Sequence, residues 1–138
     1  MQYNTINPLE RIISAASYLT AGMAGFIWLI IAAFMKKSIK SFLMFHIMQS
    51  IFLSIAYFIF IELYKLIFII LVKIPLINTL TLFINSVIFN PLPLFWGMSL
   101  MQIFTSVIIL YLAITSFMGQ FSYIPWVSDI IKGNTGNR

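Results

Sequence analysis

The sequence has no cysteine, a single histidine and only three acidic residues, and each scarcity closes off a class of chemistry. Without thiols the chain has neither disulfides nor thiolate metal sites. The acids, Glu10, Glu62 and Asp129, lie in different parts of the chain, too scattered to be read as a carboxylate pair for acid–base work. The histidine, His46, has no acid beside it in sequence. A metal site or a Ser–His–Asp arrangement would have to be built on it alone. Glycine-rich phosphate loops of the Walker or dinucleotide type are absent. The expectation is a chain without catalytic residues, cofactor or metal, and not an enzyme.

Charge is also scarce, at 8% of residues against roughly 25% in an average soluble domain. Hydrophobic residues make up 62%, and the mean hydropathy is +1.04. A soluble fold of 138 residues would need more polar groups than this to cover its surface, so the apolar residues must meet lipid. The net charge of +5 on so small a polar surface points to anionic headgroups and not to nucleic acid, since no basic cluster is interleaved with exposed aromatics. Lysines outnumber arginines six to two, with abundant Ile, Phe, Asn and Tyr. AT-rich codons give that pattern, which hints at an organelle genome or an AT-rich bacterium.

Charge-free runs divide what reads as one integral membrane domain, 1–138. The run 12–35 exceeds the roughly 20 residues that a spanning helix needs. It follows no basic n-region and precedes no small-residue cleavage site, so it is read as a retained span. Within it Ala21 and Gly25 stand four apart, with Gly22 beside them. Small residues at that spacing admit a close-packed helix, although glycine is common in membrane helices in any case. Lys36, Lys37 and Lys40 then form the densest basic cluster. A second span, 41–61, is expected to end at Glu62 and Lys65, which are placed to pair on one helix face.

Between 66 and 90, Lys73 and Pro75 interrupt the pattern, and Asn78, Thr79, Thr81, Asn85 and Ser86 dilute it. This predicts a kinked interfacial or re-entrant helix; the alternative is a fourth, kinked span with Lys73 snorkelling to the headgroups. After the breaker Asn90-Pro91-Leu92-Pro93, a last span covers 95–118, with Gly119 where helices often stop. The tail, 119–138, sets Tyr123 and Trp126 at headgroup level and closes in a polar, frayed stretch from Gly133. The fold class is therefore all-α: a polytopic membrane helical bundle of three full spans plus the partial one. With the lysine loop cytoplasmic, three spans put Lys132 and Arg138 inside and Arg11, Lys65 and Lys73 outside, a bias in the expected sense.

His46, Gln49, Ser50, Ser54 and Tyr57 recur three or four apart along the second span, a polar stripe on an apolar helix. Such groups in hydrocarbon face protein or water. They form either a polar path or site, or interhelical hydrogen bonds worth about 0.6–2 kcal/mol each. Gln102, Thr105 and Ser116 give the last span a weaker polar face that could meet the stripe.

Three segments together resemble a known family. Glu10 to Leu19, ERIISAASYL, looks like an opening "E-R-hydrophobic-hydrophobic-S-A-x-x-Y-L". Ser41 to Ser50, SFLMFHIMQS, is similar to "F-hydrophobic-R-F-N/H-x-x-Q-A", with Met44 at the arginine and Ser50 at the alanine. Gly119-Gln120 followed by Ile124-Pro125-Trp126-Val127-Ser128-Asp129 resembles a terminal "G-x-x-P-x-I-P-x-x-S-D-A". The resemblance is to the Tic-twenty family, the twenty-kilodalton-class subunit of the translocon at the inner envelope of chloroplasts, with its bacterial relatives. Plastid members usually carry an additional hydrophobic hairpin near the start; here that region reads as one compressed run, which suits a short bacterial relative. The resemblance implies a channel or channel scaffold for protein translocation, a preprotein substrate, and residence in a bacterial inner membrane or, alternatively, the plastid inner envelope. The tail residues Ile124, Pro125, Ser128 and Asp129 are then a candidate motif, either an anchor at the membrane surface or a docking site. Three or four helices enclose no wide pore alone, so partners are expected: the lipid bilayer, and copies of the chain or other membrane subunits. A structural or assembly subunit is the alternative function. A small-solute transporter ranks third, because inverted repeats and an intramembrane charge are not evident.

Overall fold

The computed structural model describes residues 6–93, 96–125 and 127–134, the last three of these by their backbone alone. Its regular elements are helices: α1 Pro8–Leu19, α2 Met23–Phe34, α3 Ser41–Val72, α4 Asn78–Phe89, α5 Leu100–Phe117 and α6 Val127–Asn134. The chain divides into two compact units, Met1–Ala56 with Ile109–Arg138, and Tyr57–Ile108. Two helices, α3 and α5, are long and apolar enough to cross a membrane. The most apolar stretch of α3 is not buried against the rest of the chain, so it is left to meet lipid or other helices. The protein is all-α and membrane-associated.

The single span expected over 12–35 is corrected: the chain breaks there into α1 and α2. Each has 12 residues, about 18 Å of helix, short of the roughly 30 Å of a bilayer core. The break is built from local bonds. Ala21 N–H donates to the Tyr18 carbonyl and Gly22 N–H to that of Ser17, the paired closure of a Schellman motif. Ala21 (φ 51) and Gly22 (φ 88) both lie in the left-handed region. The Thr20 hydroxyl donates to the Ala16 carbonyl at 2.8 Å and accepts the Ala24 N–H at 3.0 Å. One side chain thus finishes α1 and caps α2. The start of α1 is fixed as firmly: Asn7 and Glu10 form a capping box, with Pro8 in the first turn.

The second span also differs from expectation, because α3 runs through Glu62 and Lys65 to Val72. Those two residues do pair, Nζ to Oε1 at 2.7 Å, but an exposed ion pair at that spacing supports a helix and does not end it. Leu66 to Val72, expected in the interfacial piece, therefore belong to α3. The break falls at residues 73–77, where Pro75 supplies no N–H. α4 is again 12 residues long, with none of its residues buried.

The helix of the expected last span, α5, starts later than residue 95, which with Leu94 lies outside the described residues. Ser99 Oγ accepts the Gln102 N–H at 3.2 Å, and Gln102 Oε1 accepts the Ser99 N–H at 2.9 Å. This capping box sets the start of α5 at Leu100. α5 stops as expected at Gly119 (φ 78), with Gly119 and Gln120 donating to Ser116 and Thr115 in a second Schellman closure.

Candidate functional site

The site is built within the unit Met1–Ala56 with Ile109–Arg138. The fold-back between α1 and α2 brings Ser17 opposite Gly25, and both are buried. A Cβ on Gly25 would lie 2.6 Å from Ser17 Oγ and 2.9 Å from Ile47 Cγ2. One on Gly22 would lie 3.1 Å from the Ile51 Cα. Both glycines therefore let α3 approach the corner closely. Ala21 does not share a helical face with Gly25, because it sits in the turn, exposed. The expected four-residue spacing on one helix is corrected accordingly.

Beside this contact lies a buried polar network. The Tyr18 hydroxyl is 2.9 Å from His46 Nδ1 and 2.6 Å from Gln49 Oε1. His46 Nε2 is 3.2 Å from the Gln120 carbonyl oxygen. The Gln49 amide bonds Ser128 Oγ at 3.1 Å and Ser122 Oγ at 3.0 Å. Ser128 Oγ also accepts the Ile124 N–H at 2.8 Å. Tyr18, His46, Gln49, Ser122 and Ser128 are all buried. Phe42 and Phe45 meet the imidazole edge-on, and Phe121 stacks on it. α1, α3 and the tail are thereby joined through side chains that no water-exposed surface would need.

Proton counting constrains this network. The Gln120 carbonyl can only accept, so Nε2 carries a proton, and Nδ1 of a neutral ring then accepts from Tyr18. Tyr18 has one proton and cannot also donate to Gln49. Turning the Gln49 amide over resolves the conflict. Its NH2 then faces Tyr18 and Ser122, its oxygen takes the Ser128 hydroxyl, and no charge is buried. The arrangement is a buried set of hydrogen bonds beside aromatic rings.

At the end of this unit where α1 and α3 begin, Glu10 Oε1 pairs with Lys40 Nζ at 3.2 Å. The Arg11 guanidinium lies where a Cβ on Gly119 would be, 3.0 Å from Nε. It covers the C-terminal end of α5, whose dipole favours a cation. In the tail, the Asp129 carboxylate accepts from the Tyr123 hydroxyl at 3.1 Å. That bond, and the carboxylate's charge, raise the Tyr123 pKa above the ordinary tyrosine value.

Of the stripe, only His46 and Gln49 reach other segments. Ser50 and Ser54 donate to the Ile47 and Ser50 carbonyls of their own helix, and Tyr57 is exposed and belongs to the other unit. The weaker face on α5 is likewise satisfied locally: Gln102 in its cap, Thr105 and Ser116 on the Met101 and Ala113 carbonyls. In the tail, Ser128 is buried, Ile124 half-buried, and Pro125 and Asp129 exposed. Trp126 and 135–138 lie outside the described residues, as do the side chains of Lys132, Gly133 and Asn134, so the headgroup and fraying expectations there fall outside them too. Tyr18 and Ser122 are the members not singled out as site residues. The spacing Ser14, Ser17, Tyr18 on α1, a second polar face in an apolar run, is the signal for Tyr18. No family model, no curated protein and no solved structure matches the chain.

Proposed function

We propose that the chain is an integral-membrane subunit that works inside a larger assembly, of the protein-translocation type its three segments resemble. One observation carries this reading. Those segments are far apart in sequence, yet Arg11 and Tyr18 of the first, His46 and Gln49 of the second, and Gly119, Gln120 and Ser128 of the third belong to one cluster. Residues of a motif that meet in space act as a unit. The α1–α2 fold-back supports it as well, since it stands where plastid members of the Tic-twenty family carry a hydrophobic hairpin. In this reading α3 and α5 cross the membrane, and the fold-back enters and leaves on one side. The uncovered apolar length of α3 takes partner helices. Arg11 then joins Lys36, Lys37 and Lys40 on the cytoplasmic or stromal side, where three spans would have put it outside, and the basic bias is stronger.

The structural or assembly subunit is the second reading, favoured by the network, whose polar groups are buried and bonded to one another. In-membrane crosslinking of the tagged chain separates the two. Recovery of a translocating precursor on the exposed face of α3 supports translocation; recovery only of resident membrane subunits supports assembly; a chain recovered alone defeats both.

Topology gives a further expected result. His46, near the start of α3, bonds Gln120, just past the end of α5, so crossing helices must be antiparallel. Cysteines at Ser38 and Ile130, both exposed, are expected to react with an impermeant maleimide from the same membrane face. Labelling from opposite faces would exclude this topology.

A further inference from the structure

The unit Tyr57–Ile108 holds a cavity of about 570 Å³, inside the roughly 300–1,000 Å³ range of ligand sites. Its walls are apolar and aromatic. The Tyr64 ring lies 6.1 Å from that of Phe68 and 4.6 Å from that of Phe89. Three groups of its polar lining have donors to spare. Gln102 spends its oxygen on the Ser99 N–H, and Asn85 spends its oxygen on the Tyr64 hydroxyl. Each keeps an NH2 with no partner among the described residues. Lys65 gives one of its three ammonium protons to Glu62. Lys65 lines the cavity and Glu62 does not. What these three groups have left to offer is N–H donors, one set on an ammonium whose charge Glu62 partly offsets at 2.7 Å, beside the N-terminus of α5.

We propose that this cavity binds one anionic phospholipid, its phosphate held by Lys65, Gln102 and Asn85 and an acyl chain lying along Tyr64, Phe68 and Phe89. A phosphate supplies the acceptors the donors lack. The aromatic wall has no use for a free inorganic anion but takes a hydrocarbon chain. The site lies on α3, whose apolar surface is uncovered, so lipid reaches it by lateral diffusion. A zwitterionic lipid brings a quaternary ammonium near Lys65 and is disfavoured.

The test uses the purified full chain in lipid nanodiscs and native mass spectrometry. Phosphatidylglycerol is expected to be retained in preference to phosphatidylcholine of the same chain length. Lys65→Gln is expected to cut that retention about fivefold, the effect of one basic residue near an anionic surface, while Lys37→Gln leaves it unchanged. Equal retention of the two lipids, or a preference indifferent to Lys65→Gln, overturns the proposal. Displacement of phosphatidylglycerol by millimolar inorganic phosphate would make the site a free-anion site and overturn it too. Should Lys65→Gln fail to fold, photoactivatable phosphatidylglycerol diluted in phosphatidylcholine decides on the wild-type chain. Adducts concentrated at 57–102 support the site, and adducts spread along the chain reject it.

Discussion

Replacing Gln49 by leucine is expected to lower the stability of the folded chain in detergent by about 2–4 kcal/mol and to release its tail. Leucine has similar bulk, so packing is nearly kept and the loss is one of hydrogen bonds. The Ser122 hydroxyl, 3.0 Å from the Gln49 amide, loses that partner while still buried. Tyr18 and Ser128 keep His46 and the Ile124 N–H but lose their common partner. Tyr18→Phe removes one of the same bonds, that between Tyr18 and Gln49, so the two changes should not fully add. A double-mutant cycle is expected to give about 1–2 kcal/mol of coupling. Leu53→Ala, on a half-buried position of the same helix, should cost less. The readouts are the thermal midpoint by circular dichroism and hydrogen exchange across residues 122–131. Unchanged exchange in the tail of Gln49→Leu would show that the network does not hold it. Because Ser122 and Ser128 are both buried, the tail is part of the core of this unit and not a detachable arm.

The sequence carried the all-α, lipid-facing character plainly, because a chain with so few charges has no other way to cover its apolar residues. It also marked His46 and Gln49, polar groups at helical spacing in an apolar run. It could not say which members of that stripe reach another helix. Ser50 and Ser54 obey the same period, yet their hydroxyls return to carbonyls of their own helix, an option open to serine and not to histidine or glutamine. Nor could it supply the partners: Tyr18 lies 31 positions from Gln49, and Ser128 lies 79. Glu62 and Lys65 misled in the opposite direction. Two charges suggested an end, but as an exposed pair they partly offset one another, and α3 continues.

The break at residues 20–22 was the largest feature hidden in the sequence, and it underlies the second large effect. Gly22→Ala is expected to destabilise the fold by about 2–4 kcal/mol, the sum of left-handed strain and overpacking. At φ 88 an alanine is strained before any contact is counted. Its Cβ would then meet the Ile51 Cα at 3.1 Å and the Ile51 N at 3.3 Å, backbone atoms of α3 that cannot swing aside. Lipid tails are as apolar as the helix surfaces, so hydrophobicity alone does not drive helices together in a bilayer, and close approach at such points contributes much of their association. Ala21→Gly provides the opposite sign at the neighbouring position. Ala21 closes α1 at φ 51 and is exposed, so glycine relieves strain and meets nothing. A gain of up to about 1 kcal/mol is expected after glycine's extra chain entropy is charged against it. Thermal unfolding of the two variants in one detergent makes the comparison. If Gly22→Ala matches the wild type and Ala21→Gly weakens it, residues 12–35 form one continuous helix, and the corner that seats Ser17 against Gly25 does not exist.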